Sequence, residues 1–189
     1  MKRIAIQGVG GAFHDIAARG YFDNEEVETV PCHTFKDVFK AIDKDDNLLG
    51  IIAIENTIAG SLLQNHNLLR ESGCLIIGEY KLRISHQLAV LPGQKLEDIT
   101  EVCSHPIALM QCEDFLDAHK NLRAVETDDT ALSAKEIAEN KITGRAAICS
   151  RLAAELYRLE ILAEGIETNK RNFTRFLIIA KPDLADKMN

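Results

Sequence analysis

Nowhere in the 189 residues does an apolar run approach the roughly 18 positions that a membrane-spanning helix needs. The opening Met1-Lys2-Arg3-Ile4-Ala5-Ile6-Gln7-Gly8 enters a strand-like pattern directly, so neither signal peptide nor anchor is expected, and a cytoplasmic location is. Cysteine is too sparse and too scattered for a disulfide framework. The five thiols, Cys32, Cys74, Cys103, Cys112 and Cys149, are odd in number and include no C-x-x-C pair, which also excludes a zinc site. The histidines form no H-x-x-x-H pair that would suggest a metal, and most of His14, His33, His66, His86 and His119 read as surface or packing residues. Clusters of Lys and Arg are missing too; with a formal net charge of -7, nucleic acid is not an expected partner. An acidic chain repels anions at long range, so an anionic ligand must be drawn in locally, by helix N-termini or a placed arginine. Repeats and low-complexity segments are absent. The 46% hydrophobic content supports a real core, in one large domain or two small lobes.

What is present alternates between strand-like and helical runs, the pattern of an α/β protein with mostly parallel sheets. Arg3–Gln7 leads into the glycines of Gly8-Val9-Gly10-Gly11 and then a helix over Phe13–Tyr21. Phe13 stands where a dinucleotide fingerprint needs its third glycine, and no P-loop lysine follows, so the glycines read as close backbone approach. Leu48–Ile54 is a nearly unbroken apolar run, as central strands are, and it empties into Glu55-Asn56-Thr57 with Gly60-Ser61 beyond. Ligands sit past the carboxyl ends of such strands, which places Glu55 and Asn56 well for chemistry. Ser61 is expected to cap a helix over Leu62–Ser72 that Gly73 ends.

Leu75–Tyr80 and Leu82–Val90 read as further strands, the second crossing into a second lobe. There Ser104-His105-Pro106 has the makings of a helix start, with Ser104 or His105 as cap and the helix running to about Ala118. Gln111 lies in the otherwise apolar stripe of Ala108, Cys112 and Phe115, and a buried amide needs partners or a ligand. Asp128-Asp129-Thr130 caps the next helix. Near the C-terminal end Asn172-Phe173-Thr174-Arg175-Phe176 feeds the apolar run Leu177-Ile178-Ile179-Ala180. Polar groups at the mouth of a buried strand mark a site, and strand alternation puts Asn172, Thr174 and Phe176 on one face and Arg175 on the other. This last strand is expected to return to the first lobe. The division is then 1–80 plus 168–189 for lobe one and 81–167 for lobe two, with the ligand in the cleft between them.

Several segments together resemble the catalytic domain of the prephenate dehydratase family. They are Gly8-x-x-Gly11-x-Phe13 with Ala17-Ala18, Glu55-Asn56-Thr57 with Gly60-Ser61, Ser104-His105-Pro106 with Ala108-Leu109 and Gln111-Cys112, Ala146-Ala147-Ile148-Cys149-Ser150 with Ala153-Ala154-Glu155-Leu156-Tyr157, and Asn172-Phe173-Thr174-Arg175-Phe176. The Thr-Arg-Phe triplet is the family's signature, and the order and spacing of the other pieces agree with it. The chain departs from the usual pattern in the first loop, where the family shows Thr-Phe-Ser and this sequence has Ala12-Phe13-His14, and at Ile107, where the family often has Gln.

The resemblance implies two α/β lobes like the type II periplasmic binding proteins, with the active site in the cleft. It implies decarboxylating dehydration of prephenate to phenylpyruvate in phenylalanine biosynthesis, a reaction for which no metal or organic cofactor is required. Arogenate dehydratase, or a non-catalytic small-anion binding module on the same fold, is the alternative. Thr174 is expected to hydrogen-bond the departing hydroxyl, with Glu55 or His105 behind it as proton source. Asn56, Ser104, Gln111 and Thr130 are expected to hold the substrate's carboxylates and ring. Asn172 and Arg175 complete the set, Arg175 more as a brace than as a carboxylate clamp. The expected partners are the small-molecule substrate and, as an option, a second copy in a homodimer. Family members usually continue into a regulatory ACT domain that binds phenylalanine. The sequence ends at Asn189 without one, so insensitivity to phenylalanine is expected.

Overall fold

A computed structural model describes residues 1–23 and 25–188. The chain opens with β1 (Lys2–Gln7), α1 (Phe13–Tyr21), β2 (Val27–Cys32), α2 (Phe35–Lys44), β3 (Leu49–Asn56), the two-residue β4 (Gly60–Ser61), α3 (Leu63–Ser72) and β5 (Leu75–Arg83). It continues through β6 (Gln87–Val90), β7 (Glu101–Ser104), α4 (Pro106–Gln111), α5 (Glu113–Ala118), β8 (Arg123–Glu126), α6 (Thr130–Glu139), β9 (Arg145–Cys149), α7 (Arg151–Leu156) and β10 (Glu160–Ala163). It closes with β11 (Phe173–Ala180) and α8 (Pro182–Met188). Among the described residues no helix is long and apolar enough to cross a membrane.

The chain divides into two compact units. The first comprises Met1–Val9, Phe13–Ile84 and the segment from Asn172 onward; the second comprises Gly10–Ala12 and Ser85–Arg171. In the first unit the strand order is β2-β1-β3-β11-β5, with β4 paired to β3. Strands β1, β2 and β3 run parallel, and β11 lies antiparallel between β3 and β5. One face of this sheet buries Ile4, Ile6, Ile51, Phe176 and Ile178 beside Ala17 and Ala18 of α1; the other buries Ala5, Ile52, Leu177 and Ile179 beside Val38 and Ile42 of α2. A strand covered on both faces must be apolar at every position, which is why Leu48–Ile54 is an unbroken run. In the second unit the order is β10-β6-β9-β7-β8, parallel across β9, β7 and β8 and antiparallel across β10, β6 and β9.

Three local expectations are corrected, the first two because a distant partner intervenes. The stretch Leu82–Val90 is not one strand: β5 runs on to Arg83 and β6 begins only at Gln87. Between them the Ile84 N–H goes to Asn172 O at 2.7 Å and the His86 N–H to the Glu167 carboxylate at 3.0 Å, outside any strand ladder. The helix expected to reach Ala118 breaks at Cys112, where the Thr168 N–H takes the Gln111 carbonyl at 2.8 Å and removes it from the helical pattern. Ser61 is not a helix cap. It pairs with Glu55 in the β3–β4 ladder, and α3 starts after Leu62 without a side-chain cap.

Beyond Gly50, β1 no longer pairs with β3, and side chains take over the exposed backbone of Ala53. Its N–H donates to His14 Nε2 at 3.2 Å, and its carbonyl accepts from Asn65 Nδ2 at 2.7 Å. His14 thus works as a buried acceptor, wedged edge-on to Phe176 with ring centroids 4.9 Å apart. Burial lowers its pKa to about 3. The unfolded chain takes up a proton below about pH 6.5 that the fold refuses, so stability is full above that value and falls by about 1.4 kcal/mol per pH unit beneath it. The fall flattens near the folded value. Between pH 7 and pH 5 this one group should cost about 2 kcal/mol. Urea unfolding of wild type and His14→Gln at both pH values checks it: the wild type should lose about 2 kcal/mol more than the variant, and equal losses would contradict the assignment.

Candidate active site

In the first unit the site is set by the register of β11 against β3, which opposes Thr174 to Asn56 and Arg175 to Glu55. Opposed residues share a face and successive residues alternate, so two separate pairs result. On one face Asn56 Nδ2 donates to Thr174 Oγ1 at 2.9 Å, to Asn172 Oδ1 at 2.8 Å and, more weakly, to Phe173 O at 3.2 Å. The other end of this amide is equally committed, since Asn56 Oδ1 accepts the N–H groups of Ile58 and Ala59, both at 2.9 Å. Two backbone donors on the oxygen fix which end is nitrogen. Thr174 Oγ1 therefore accepts from the amide, and its own proton must point elsewhere. Thr174 and Asn172 are 8% and 1% exposed. Asn172 Nδ2 is buried without a hydrogen-bond partner among the described residues.

Arg175 stands on the opposite face. Its Nε and Nη2 donate to Glu79 at 2.7 and 2.6 Å, and its Nη1 lies 3.6 Å from Glu55. All three side chains are about half exposed, so the cluster ties three strands together at the surface and contributes little to stability. The Glu55 carboxylate thus faces the Arg175 guanidinium, on the side of the sheet opposite the Thr174 hydroxyl. A cavity of about 520 Å³ is lined by Glu55, Asn56, Lys81, Phe173 and Arg175 among others, with the Lys81 ammonium 4.9 Å over the Phe173 ring. Thr174 does not line it.

In the second unit Ser104 ends β7 and is fully buried, its Oγ donating to Ile148 O of β9 at 2.7 Å. Its proton is thus spent inside the sheet, where it braces β7 against β9. His105 is the N-cap of α4, with Nδ1 accepting the Ile107 N–H at 3.1 Å. A neutral ring whose Nδ1 is an acceptor carries its proton on Nε2, and the imidazolium that a general acid requires would lose the cap. Thr130 begins α6, but the carboxylate of Asp129 already takes the Leu132 N–H at 2.8 Å, so this helix start is capped by the chain itself. Burial raises the Asp129 pKa, opposed in part by its backbone hydrogen bonds and by His105. Gln111 is 7% exposed, and its Oε1 lies 2.8 Å from Nε2 of His86. The structure thus brings together Asn56, Asn172 and Thr174 in one unit, and sets His86 beside Gln111 in the other. Sequence reading passed over His86 as packing; the signal available was a His–Gln pair set directly before the apolar Leu88-Ala89-Val90.

Asn56 closes the carboxyl end of β3, and Asn172 and Thr174 meet it from the amino end of the antiparallel β11, the kind of strand-end position at which α/β proteins as a class bind small molecules. The sequence profile of the family described as prephenate dehydratase matches residues 4–184, and the chain belongs to that family. Arogenate dehydratase 1 of Petunia hybrida is 39% identical over 188 residues, which are 99% of this chain and 44% of that protein. The chain thus spans less than half the length of this curated relative. The crystal structure of prephenate dehydratase from Arthrobacter aurescens in complex with L-Phe superimposes with a TM-score of 0.86 at 27% identity, over 95% of this chain and 60% of that one. GqqA, described as a novel type of quorum quenching acylases, superimposes with a TM-score of 0.83 at 36% identity, over 95% and 64%. Lipoprotein Tp32 from Treponema pallidum, at 11% identity and a TM-score of 0.51 over 99% and 86%, shares the fold alone. That likeness agrees with the binding-protein-like architecture expected from the sequence.

Proposed function

We propose that this chain catalyses the dehydration and decarboxylation of prephenate to phenylpyruvate. In that reaction the electron pair of the ring carbon–carboxylate bond enters the ring, carbon dioxide departs, and the C4 hydroxyl leaves and is protonated to water. Aromatisation drives the step, so the protein's task lies at the departing oxygen. The observation that carries the reading is the hydrogen bond from Asn56 Nδ2 to Thr174 Oγ1 within the signature Thr-Arg-Phe. It directs the threonine proton away from Asn56, toward the space where a leaving oxygen can accept a hydrogen bond from it. An alcohol is too weak an acid to give that proton up, so Thr174 stabilises charge as it develops on oxygen, and the proton that completes the departing water comes from solvent. Gln111 supplies an amide to hold the substrate, and the start of α4 at His105 lies beside the buried brace Ser104.

Two other readings have support and are separated by assay. The curated relative named above is an arogenate dehydratase, and arogenate differs from prephenate only in carrying an amino group where prephenate has its keto oxygen. The structural likeness to GqqA raises an acylase, which needs an activated nucleophile. The buried thiols of Cys112 and Cys149 are pushed up to about 12 by desolvation, and the hydroxyls of Ser104 and Ser150 are spent on the carbonyls of Ile148 and Gly11. These groups speak for a dehydratase. Incubation of the purified chain with prephenate and, in parallel, with arogenate tests the proposal. Phenylpyruvate should form with the larger kcat/KM; preferential turnover of arogenate, or of neither, would refute it.

A further inference from the structure

A second buried polar cluster lies within the Ser85–Arg171 unit. His86, Gln111 and Glu167 are 2%, 7% and 2% exposed. The backbone of His86 is held at both ends, its N–H donating to Glu167 Oε2 at 3.0 Å and its carbonyl accepting from the Ile166 N–H at 2.9 Å. The same segment reaches Gln111, whose carbonyl accepts from the Thr168 N–H at 2.8 Å. A strap of three residues therefore fixes His86 and Gln111 relative to one another. The side chains meet where His86 Nε2 lies 2.8 Å from Gln111 Oε1. An amide oxygen only accepts, so with Oε1 turned to the ring it is the Nε2 tautomer that completes this hydrogen bond. Desolvation lowers the pKa of this ring, partly opposed by the Gln111 hydrogen bond and the Glu167 charge, and the imidazole is neutral.

We infer that His86 is a positioning residue for Gln111: by holding Oε1 it turns the NH2 end of the amide outward, so that the substrate meets a donor suited to a carboxylate or keto oxygen. The inference rests on the dehydratase reading, in which Gln111 holds substrate. An amide's two ends are nearly equal in shape, and nothing in its own structure selects one. A donor at Nε2 makes that selection. Without it the side chain can turn over and set its oxygen against the substrate's oxygen. An amide nitrogen carries two hydrogens, so it can donate to substrate whatever else it bonds.

The tautomer is read first, without substrate, from the ring ¹⁵N resonances of His86 in the folded protein. A proton on Nε2 is expected, and a proton on Nδ1 with Nε2 bare would overturn the inference. The kinetic test is a double-mutant cycle on prephenate. Gln111→Ala and His86→Leu should each lower kcat/KM by about 10- to 100-fold, as loss of a hydrogen bond to a charged group does. The double variant should be no worse than Gln111→Ala, and His86→Gln, which restores an N–H donor, should recover most of the rate. A purely structural His86 would give additive losses with no rescue, which overturns the inference while leaving the function standing. Full activity in Gln111→Ala would also overturn the inference while leaving the function standing, whereas no turnover of prephenate by the wild type would strike the functional reading itself and the inference with it.

Discussion

Thr174→Val should lower kcat on prephenate by about 10²–10⁴-fold while KM moves by less than about threefold. Valine keeps the branched shape that fills this position of β11, so the fold has no reason to change. What is lost is one hydroxyl proton whose direction is set by Asn56 Nδ2 at 2.9 Å. That proton matters most when charge has built up on the departing oxygen and least when the bound substrate still carries a neutral alcohol. The loss therefore falls on the chemical step and not on binding. Thr174→Ser keeps the hydroxyl but loses the methyl that restrains its rotamer, and should retain an intermediate rate. Steady-state kinetics with matched circular dichroism spectra check this. A Thr174→Val enzyme with unchanged kcat would remove the hydroxyl from the reaction.

Much of this arrangement was legible in the sequence because it depends on local rules. The unbroken run Leu48–Ile54 reads as a doubly covered strand, and β3 lies at the centre of its sheet. Alternation along 172–176 separates Thr174 from Arg175 before any partner is known. Asp129 follows the ordinary logic of helix caps, and it caps α6. The remainder depends on groups far away in sequence. No local pattern says that the Asn172 carbonyl and the Glu167 carboxylate will take the N–H groups of Ile84 and His86 and interrupt a strand-like run, or that Thr168 will end a helix at Gln111.

Glu55 shows the same limit from the side of chemistry. It sits at the expected strand end, but the face it occupies is decided by its register with β11, which opposes it to Arg175. Histidine was the least legible residue type. A lone His on an apolar stretch gives no sign of whether it accepts, as His14 does from Ala53, or faces an amide oxygen, as His86 does at Gln111. In both cases burial keeps the ring neutral, and the partner bears on which nitrogen carries the proton.

The central claim is that the direction of one amide, that of Asn56, aims the proton of Thr174. Asn56→Asp tests it most directly, because the substitution is isosteric and replaces the donor facing the hydroxyl by an acceptor; the negative charge it adds repels an anionic substrate and is read separately, in KM. The aspartate keeps an oxygen for the N–H groups of Ile58 and Ala59, so the turn after β3 is preserved. Its second oxygen replaces the donor, and being an acceptor it draws the Thr174 proton inward, away from any substrate. Asn172 can meet the change by turning its amide over, since its Nδ2 is the buried donor that has no partner. At neutral pH, kcat for Asn56→Asp should fall by about 10²–10³-fold, close to Thr174→Val, and the double variant should be no slower than either single one. A folded Asn56→Asp enzyme that turns over prephenate at the wild-type rate would contradict the account.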